Sequence, residues 1–329
     1  MAVMTRATDT EADDFMQLRP LLFSLAYRMT GSVADSEDIL SEAYLRLRRA
    51  QQRCTPIDSL RTYLSAVVTR LSIDHLRSAR IRRESYFGTW LPEPLVDATE
   101  SEFNRVELAD SLSMAFLVLL ETLTPAERAA FLLHDVFEYD YPGIAVIVDK
   151  TESNCRQLVT RARRQIATRR PRFDAAKQQR DELARRFFAA VESGDMKPLI
   201  QMLSADVVAY GDGGGRGPSL PRPINGRDKV VRLLTAISEA IRQFDLHLEH
   251  AHVNGQPGAL MKDEQGRLLN VFELDIFDGT VQVVRSVVNP DKLQHLAPLI
   301  GPDHPLRRGG PRVLPNRART DPISRNPED

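Results

Sequence analysis

Residues 124–167 read TPAERAAFLLHDVFEYDYPGIAVIVDKTESNCRQLVTRARRQIA, and the order of signals within them decides the fold of this part of the chain. Thr124-Pro125-Ala126-Glu127 supplies an N-cap, a first-turn proline and a glutamate three residues after the cap, which together mark a helix start. A scaffold helix over 125–135 follows, then a short helix over 142–148, a turn at Asp149-Lys150-Thr151 and a long helix over 153–169. In the last helix Val159, Ala162 and Ile166 form an apolar stripe, while Ser153, Arg156, Gln157, Thr160, Arg163 and Arg164 project elsewhere. This layout suits a recognition helix in a DNA major groove, where an arginine bidentate to guanine contributes about 1–3 kcal/mol of discrimination. An arginine-rich solvated helix gives the same pattern, so the match is only moderately specific. The turn also lacks the glycine often found in such turns.

Towards the N-terminus, apolar residues recur at helical spacing from 14 to 84, interrupted at Gly31 and at Cys54-Thr55-Pro56. Within this helical domain Asp35, Asp38 and Glu42 fall at i, i+3 and i+7, with Glu37 beside them, so carboxylates gather on one face while Ile39 and Ala43 point inward. Like charges stacked in this way cost helix stability. A basic partner surface is one reason for them, and a solvated face near a helix N-terminus is another. Further along, Arg61 and Tyr63 precede a segment with Arg70, Asp74, Arg77, Arg80 and Arg83, whose arginines keep roughly helical register and could lie along phosphates. Tyr63, Tyr86, Phe87 and Trp90 are aromatics of the kind that stack an unpaired base, although core packing explains Tyr63 equally well.

Between the two helical blocks, residues 86–107 include Trp90-Leu91-Pro92-Glu93-Pro94, where two prolines forbid regular helix, and they read as a linker. Beyond Pro171 a helix over 178–193 gives way to strand-like segments at 207–210, 245–253, 259–262, 268–277 and 281–288, with a helix over 226–243 between them. Asp278-Gly279 is a hairpin signal. After Ile300 the chain is rich in Pro, Gly and Arg, and disorder is expected over 301–329.

The chain has 329 residues, 42% of them hydrophobic and 27% charged, which fits a protein of two or three domains with several small cores. No apolar run is long enough for a signal-peptide core or a membrane span, so the expected location is cytoplasmic, with no membrane partner. Cys54 and Cys155 read as free thiols with no metal or redox spacing, and no cofactor is expected. Net charge is −1, yet positive charge clusters at 70–83 and 156–172.

In this order, the acidic helix at Asp35-Ser36-Glu37-Asp38, the arginine-rich helix over 71–83 and a distant helix-turn-helix resemble regions 2 and 4 of the extracytoplasmic-function sigma factors. More specifically, Trp90-Leu91-Pro92-Glu93-Pro94, Asp212-Gly213-Gly214-Gly215-Arg216 and Asn289-Pro290-Asp291-Lys292-Leu293 are similar to three signatures of the SigJ-like subgroup, whose members carry a C-terminal SnoaL-like domain. The likeness covers about residues 12–297. It departs at Arg216, where the family often has Lys, and at Asp149, where it often has Gly.

The resemblance implies two all-α sigma domains followed by an α+β cone of curved antiparallel sheet and helices. Region 2 would occupy 12–85, the linker 86–107, region 4 would occupy 108–171, and the SnoaL-like domain 178–297. It implies a non-enzymatic factor that joins core RNA polymerase and directs it to double-stranded and then melted promoter DNA. The face with Asp35, Glu37, Asp38 and Glu42 would meet the clamp helices of the largest subunits, and the beta flap is a further expected contact. Arg61 to Arg83 would read and open the −10 element, and the helix from Ser153 would read the −35 element.

For the last domain two readings stand. His247, His250, His252, Asp212 and Asp275 could supply an acid and a base in a cavity holding an unknown small ligand. Regulation in cis is the better supported of the two. The three signatures are expected to meet, so that the extra domain clasps the linker, with the glycines of 213–215 allowing positive φ and close approach. Rivals to the whole reading are a helix-turn-helix regulator that never joins polymerase, and a DNA-binding module fused to a small-molecule enzyme.

Overall fold

The computed structural model describes residues 2–84, 86–96, 112–167, 177–216 and 220–308, with backbone alone at 2–12 and 79–84. Three long helices come first: α1 (Ala2–Thr30), α2 (Val33–Gln52) and α3 (Leu60–Glu84). Gly31 ends α1 at φ +71, and Ser32 then caps α2 by accepting from the Asp35 backbone N–H. One face of α2 is buried through Ile39, Leu40, Ala43 and Leu47.

The second helical block starts with α4 (Met114–Leu120) and continues into α5 (Pro125–Phe131). The expected capping box is present at Thr124 and Glu127. The scaffold helix is α-helical only to Phe131 and then widens into a π-helical turn over Leu132–Val136. Helices α6 (Tyr141–Val148) and α7 (Glu152–Ala167) complete the helix-turn-helix. Asp149 takes the glycine-like role at the turn, with φ 54 and ψ 58, a region that Asp tolerates better than most residues.

The C-terminal unit has α8 (Lys177–Ser193), α9 (Met196–Met202) and α10 (Arg227–Gln243) against a six-stranded sheet. Its strands are β1 (Leu203–Asp212), β2 (Ile224–Asn225), β3 (His247–Val253), β4 (Gln256–Lys262), β5 (Leu268–Phe277) and β6 (Thr280–Val287), in the order β2-β1-β6-β5-β4-β3. Pairing is antiparallel except between β1 and β6. Strand alternation divides β5 between two cores. Phe272, Leu274 and Ile276 pack with α8 and α10 inside the cone, whereas Val271 joins Leu91, Met114, Val253 and Leu293 in a seam on the opposite face.

Two expectations need correction. Regions 2 and 4 do not have separate cores: Leu25, Leu64 and Val68 belong to the same buried cluster as Leu120, Leu133 and Ile147. Each block has an amphipathic face wide enough to bury apolar surface on the other, so one continuous core replaces two marginal ones. Nor is the chain disordered directly after Ile300, since a turn leads into α11 (Pro305–Arg308), Leu306 packs on the cone core and the Phe244 and His304 rings lie 5.3 Å apart. The remainder of the expected disordered tail, and the linker and helix expectations over 97–111 and 168–176, lie outside the described residues.

Candidate functional site

The three signatures meet. Asp212, fully buried at the end of β1, accepts from the Leu91 backbone N–H at 2.7 Å and from Lys292 Nζ at 2.7 Å. Lys292 also donates to the Leu91 carbonyl oxygen, and the Tyr86 hydroxyl donates to the second oxygen of Asp212. Asn289 donates to the Tyr86 hydroxyl at 2.9 Å, and burial, together with the Asp212 carboxylate, pushes the Tyr86 pKa upward. Rings of Tyr86 and Trp90 lie 5.0 and 4.3 Å from Lys292 Nζ, so its charge is enclosed by one carboxylate and two aromatic faces. Such a pair is costly to break from one side, by about 3–5 kcal/mol, because the surviving charge remains buried.

Loop geometry makes this approach possible. Gly214 and Gly215 take φ +55 and +75, and a Cβ at Gly214 would collide with the Asn289 amide. Arg216 bridges to Asp291 at 3.0 Å on the surface. Asn289 caps the 3-10 turn Pro290–Lys292 that carries Lys292 inward, and Leu293 is fully buried in the seam.

The linker is bound to region 2 as well as to the cone. Glu93 accepts from the backbone N–H groups of Val33 and Ala34 at 2.7 and 3.2 Å and from the Ser32 hydroxyl at 2.8 Å. A linker carboxylate therefore caps α2, where the helix dipole favours negative charge. Its backbone N–H donates to Gly31 O, and its carbonyl accepts from the Tyr27 hydroxyl at 2.6 Å. Pro94 O is met by His295 Nε2 at 2.9 Å.

The acidic face of α2 is only partly unpaired. Asp35 meets His75 Nε2 at 3.2 Å, Glu37 pairs with Arg19 at 2.6 Å, and Glu42 pairs with Arg46 at 2.9 Å, which holds its carboxyl below the usual range. Asp38 is exposed. The self-repulsion expected from sequence is thus relieved within the chain, while the face remains accessible.

Among the arginines of α3, Arg70 is exposed yet reaches across onto region 4. It donates to the carbonyl oxygens of Val146 and Ile147 at 3.0 and 3.1 Å, capping the C-terminal end of α6. Arg61 lies over the Tyr139 ring at 5.4 Å, and the hydroxyls of Ser65 and Tyr139 are 2.8 Å apart. Tyr63 is half-buried, Asp74 and Arg77 are exposed neighbours at 3.4 Å, and the side chains of Arg80 and Arg83 lie outside the described residues.

On α7, Cys155, Leu158, Val159, Ala162 and Ile166 are buried, while Ser153, Arg156, Gln157, Thr160, Arg163 and Arg164 are exposed on the other side. Arg156 stacks over Tyr141 at 4.4 Å, and Arg163 forms two bonds to Asp135 at 2.7 and 2.9 Å. Cys54 is an exposed free thiol. Among the described residues no group of His, Cys, Asp or Glu has a metal-binding arrangement, and no helix is long and apolar enough to cross a membrane.

The acid–base set proposed for the cone does not converge. Asp212 serves the linker. Asp275 and Glu273 both pair with Arg285, at 2.8 and 2.6 Å. His252 meets Asp181, His250 stands edge-on to the Phe188 ring with its pKa lowered by burial, and His247 is exposed.

Sequence models add the family. Residues 15–82 match Sigma-70 region 2, residues 113–166 match Sigma-70 region 4, and residues 184–288 match the SnoaL-like domain. The ECF RNA polymerase sigma factor SigJ of Mycobacterium tuberculosis is 37% identical over 297 residues, covering 86% of this chain and 93% of its own. The chain belongs to the ECF sigma factors. Within this family, SigI of M. tuberculosis, a probable ECF RNA polymerase sigma factor, is 32% identical over 86% of this chain and 94% of its own. A crystal structure of the M. tuberculosis extracytoplasmic-function sigma factor SigJ superposes on 88% of this ECF sigma factor and all of its own chain, with TM-score 0.68 and 33% identity.

Several contributors to the junction escaped sequence reasoning. Tyr27 bonds to Asn254, Arg128 to Met29 O and Glu273 to the Met114 backbone N–H, each across a domain boundary, and only Asn254 carried a local signal, the Asn254-Gly255 dipeptide of a tight hairpin.

Proposed function

We propose that this ECF sigma factor binds core RNA polymerase through the exposed face of α2, reads the −10 element with α3 and the −35 element with α7, and is held in check by its own C-terminal domain. The observation that carries the reading is the position of Arg70. A residue suited to a phosphate backbone instead caps α6 of the other DNA-binding domain. Elements named −35 and −10 lie about 25 base pairs apart, about 85 Å at about 3.4 Å per base pair. Two domains sharing one core do not span that distance, so this is a closed, off-promoter arrangement, and the clasped linker stabilises it. The clamp helices and beta flap of polymerase would be the competing partners that select the open form. The C-terminal domain acts as a regulatory module, without turnover.

Reconstituted transcription on the DNA upstream of the chain's own gene tests this. Asp38→Lys with Glu42→Lys is expected to abolish association with core enzyme, and Asp212→Asn to raise promoter-specific output. Intact association after the charge reversal would remove the exposed face of α2 as the polymerase-binding surface. Unchanged output from Asp212→Asn would remove regulation in cis.

A further inference from the structure

Asn254 sits at the tip of the β3–β4 hairpin, far from the three signatures in sequence. It is 1% exposed and takes φ +52, followed by Gly255 at +75, a pair of values suited to a two-residue hairpin turn. A hairpin tip normally faces water. This one is inserted where three other segments converge.

Its side chain is fully occupied. Oδ1 accepts from the Leu95 backbone N–H at 3.0 Å, and Nδ2 donates to the Tyr27 hydroxyl at 2.8 Å and to the Leu112 carbonyl oxygen at 2.9 Å. The backbone N–H of Asn254 donates to Leu95 O at 2.7 Å, and Val96 bridges to Val253. The amide orientation is dictated by these partners, because reversing it would set N–H against N–H at Leu95 and oxygen against oxygen at Leu112. Tyr27 belongs to region 2, Leu95 to the near end of the linker, and Leu112 to the entry of region 4.

Residues 95 and 112 are 17 apart in sequence, a length of chain able to span about 55–60 Å when extended. Asn254 holds both ends on one side chain.

We propose that Asn254 is a positioning residue for promoter engagement: a clip that closes the linker into a loop and cancels the reach region 4 needs to leave region 2. It rests on the sigma-factor reading above and adds to it a specific restraint, separate from the Asp212–Lys292 junction. Releasing the clip frees linker length without disturbing either DNA-binding helix.

The test uses the full chain and a thiol probe of the closed interface. Ser65 is fully buried where α3 meets Tyr139, so Ser65→Cys in a Cys54→Ser background is labelled only when regions 2 and 4 separate. Asn254→Gly keeps the turn and removes every side-chain bond, while Asn254→Asp keeps the bond to Leu95 and loses both donors. Each is expected to raise the labelling rate at position 65 about tenfold. Apparent affinity for core polymerase should rise by a similar factor, because it scales with the fraction of competent molecules. Tyr27→Phe removes the bond from Asn254 and also the one to Glu93 O, so it should raise labelling further when added to Asn254→Gly.

A merely structural role in the hairpin would lower the denaturation midpoint and leave labelling unchanged. Labelling within twofold of the parent in both Asn254 variants overturns the clip. Failure of the parent chain to bind core polymerase would instead remove the sigma reading, while the labelling result would still decide the clip.

Discussion

Arg128 of α5 donates from Nη1 to the carbonyl oxygen of Met29 at 2.6 Å, so a helix of region 4 caps the end of a helix of region 2. The same guanidinium bonds Leu120 O at 3.0 Å and pairs with Glu121 at 2.8 Å, and Arg128 is 3% exposed. Arg128→Met keeps much of the volume but removes the guanidinium bonds to the Met29 and Leu120 carbonyl oxygens and its ion pair with Glu121. The expected loss is about 2–4 kcal/mol of global stability, read as a lower denaturant midpoint with an unchanged slope.

Glu273 of the cone reaches across to region 4 in the opposite direction, accepting from the Met114 backbone N–H at 3.2 Å at the first turn of α4. It shares Arg285 with Asp275, giving two carboxyls and one guanidinium in a closed space. Burial, together with the neighbouring Asp275, raises the Glu273 carboxyl above its ordinary range, so the neutral combination keeps a proton there. The folded state then holds that proton to higher pH than the unfolded chain does. The stabilisation is complete below the unfolded value near 4.5 and is lost as pH rises through the raised folded value. Glu273→Gln should remove this downward slope of stability with pH, and urea midpoints taken at intervals across the range would check it. A slope identical to the parent's would show that other groups produce it.

Gly31 and Trp90 form a third cross-segment contact. Gly31 has φ +71, and a Cβ there would stand 2.7 Å from Trp90 Cη2. Gly31→Ala is expected to destabilise the chain by about 1–3 kcal/mol through strain and displacement of the ring. Trp90 is the chain's single tryptophan, so its emission reports on this junction alone. The emission should shift to the red in Gly31→Ala and in Lys292→Met. An unmoved spectrum in both would mean that the ring does not depend on these neighbours.

Local signals in the sequence served the fold well. The Thr124 capping box, the apolar stripe of α7 and the strands expected at 268–277 and 281–288 appear where their residue patterns place them, because each depends on neighbours within a few positions, whereas β1 is longer than expected and α9 and β2 carried no such signal. The meeting of Asp212, Leu91 and Lys292 was legible for another reason, as the resemblance marked all three segments. Asn254, Arg128 and Glu273 were not legible. Each satisfies a backbone group on a segment distant in sequence, and neither hydrophobic periodicity nor turn chemistry encodes such a partner. The shared core of regions 2 and 4 was hidden likewise, since an amphipathic helix has the same pattern whichever surface it buries against.

The exposed arginines of α7 are expected to divide by how they are held. Arg163 is fixed to Asp135 by two bonds, and that carboxylate raises its pKa further, so its guanidinium is directed towards the scaffold helix. Arg156 leans on Tyr141, and Arg164 is exposed. Arg163→Ala should therefore change affinity for −35 DNA little and region 4 stability by no more than about 1 kcal/mol, as the pair is half solvated. Arg164→Ala and Arg156→Ala should weaken binding. If the lost contact is to a base edge, discrimination at one position falls by about 1–3 kcal/mol; if it is to a phosphate, all sequences weaken together and the salt slope drops by about one. Titrations of the full chain against −35 duplexes at several salt concentrations separate these outcomes. An effect of Arg163→Ala larger than either of the others would reverse the assignment of which side chains face the groove.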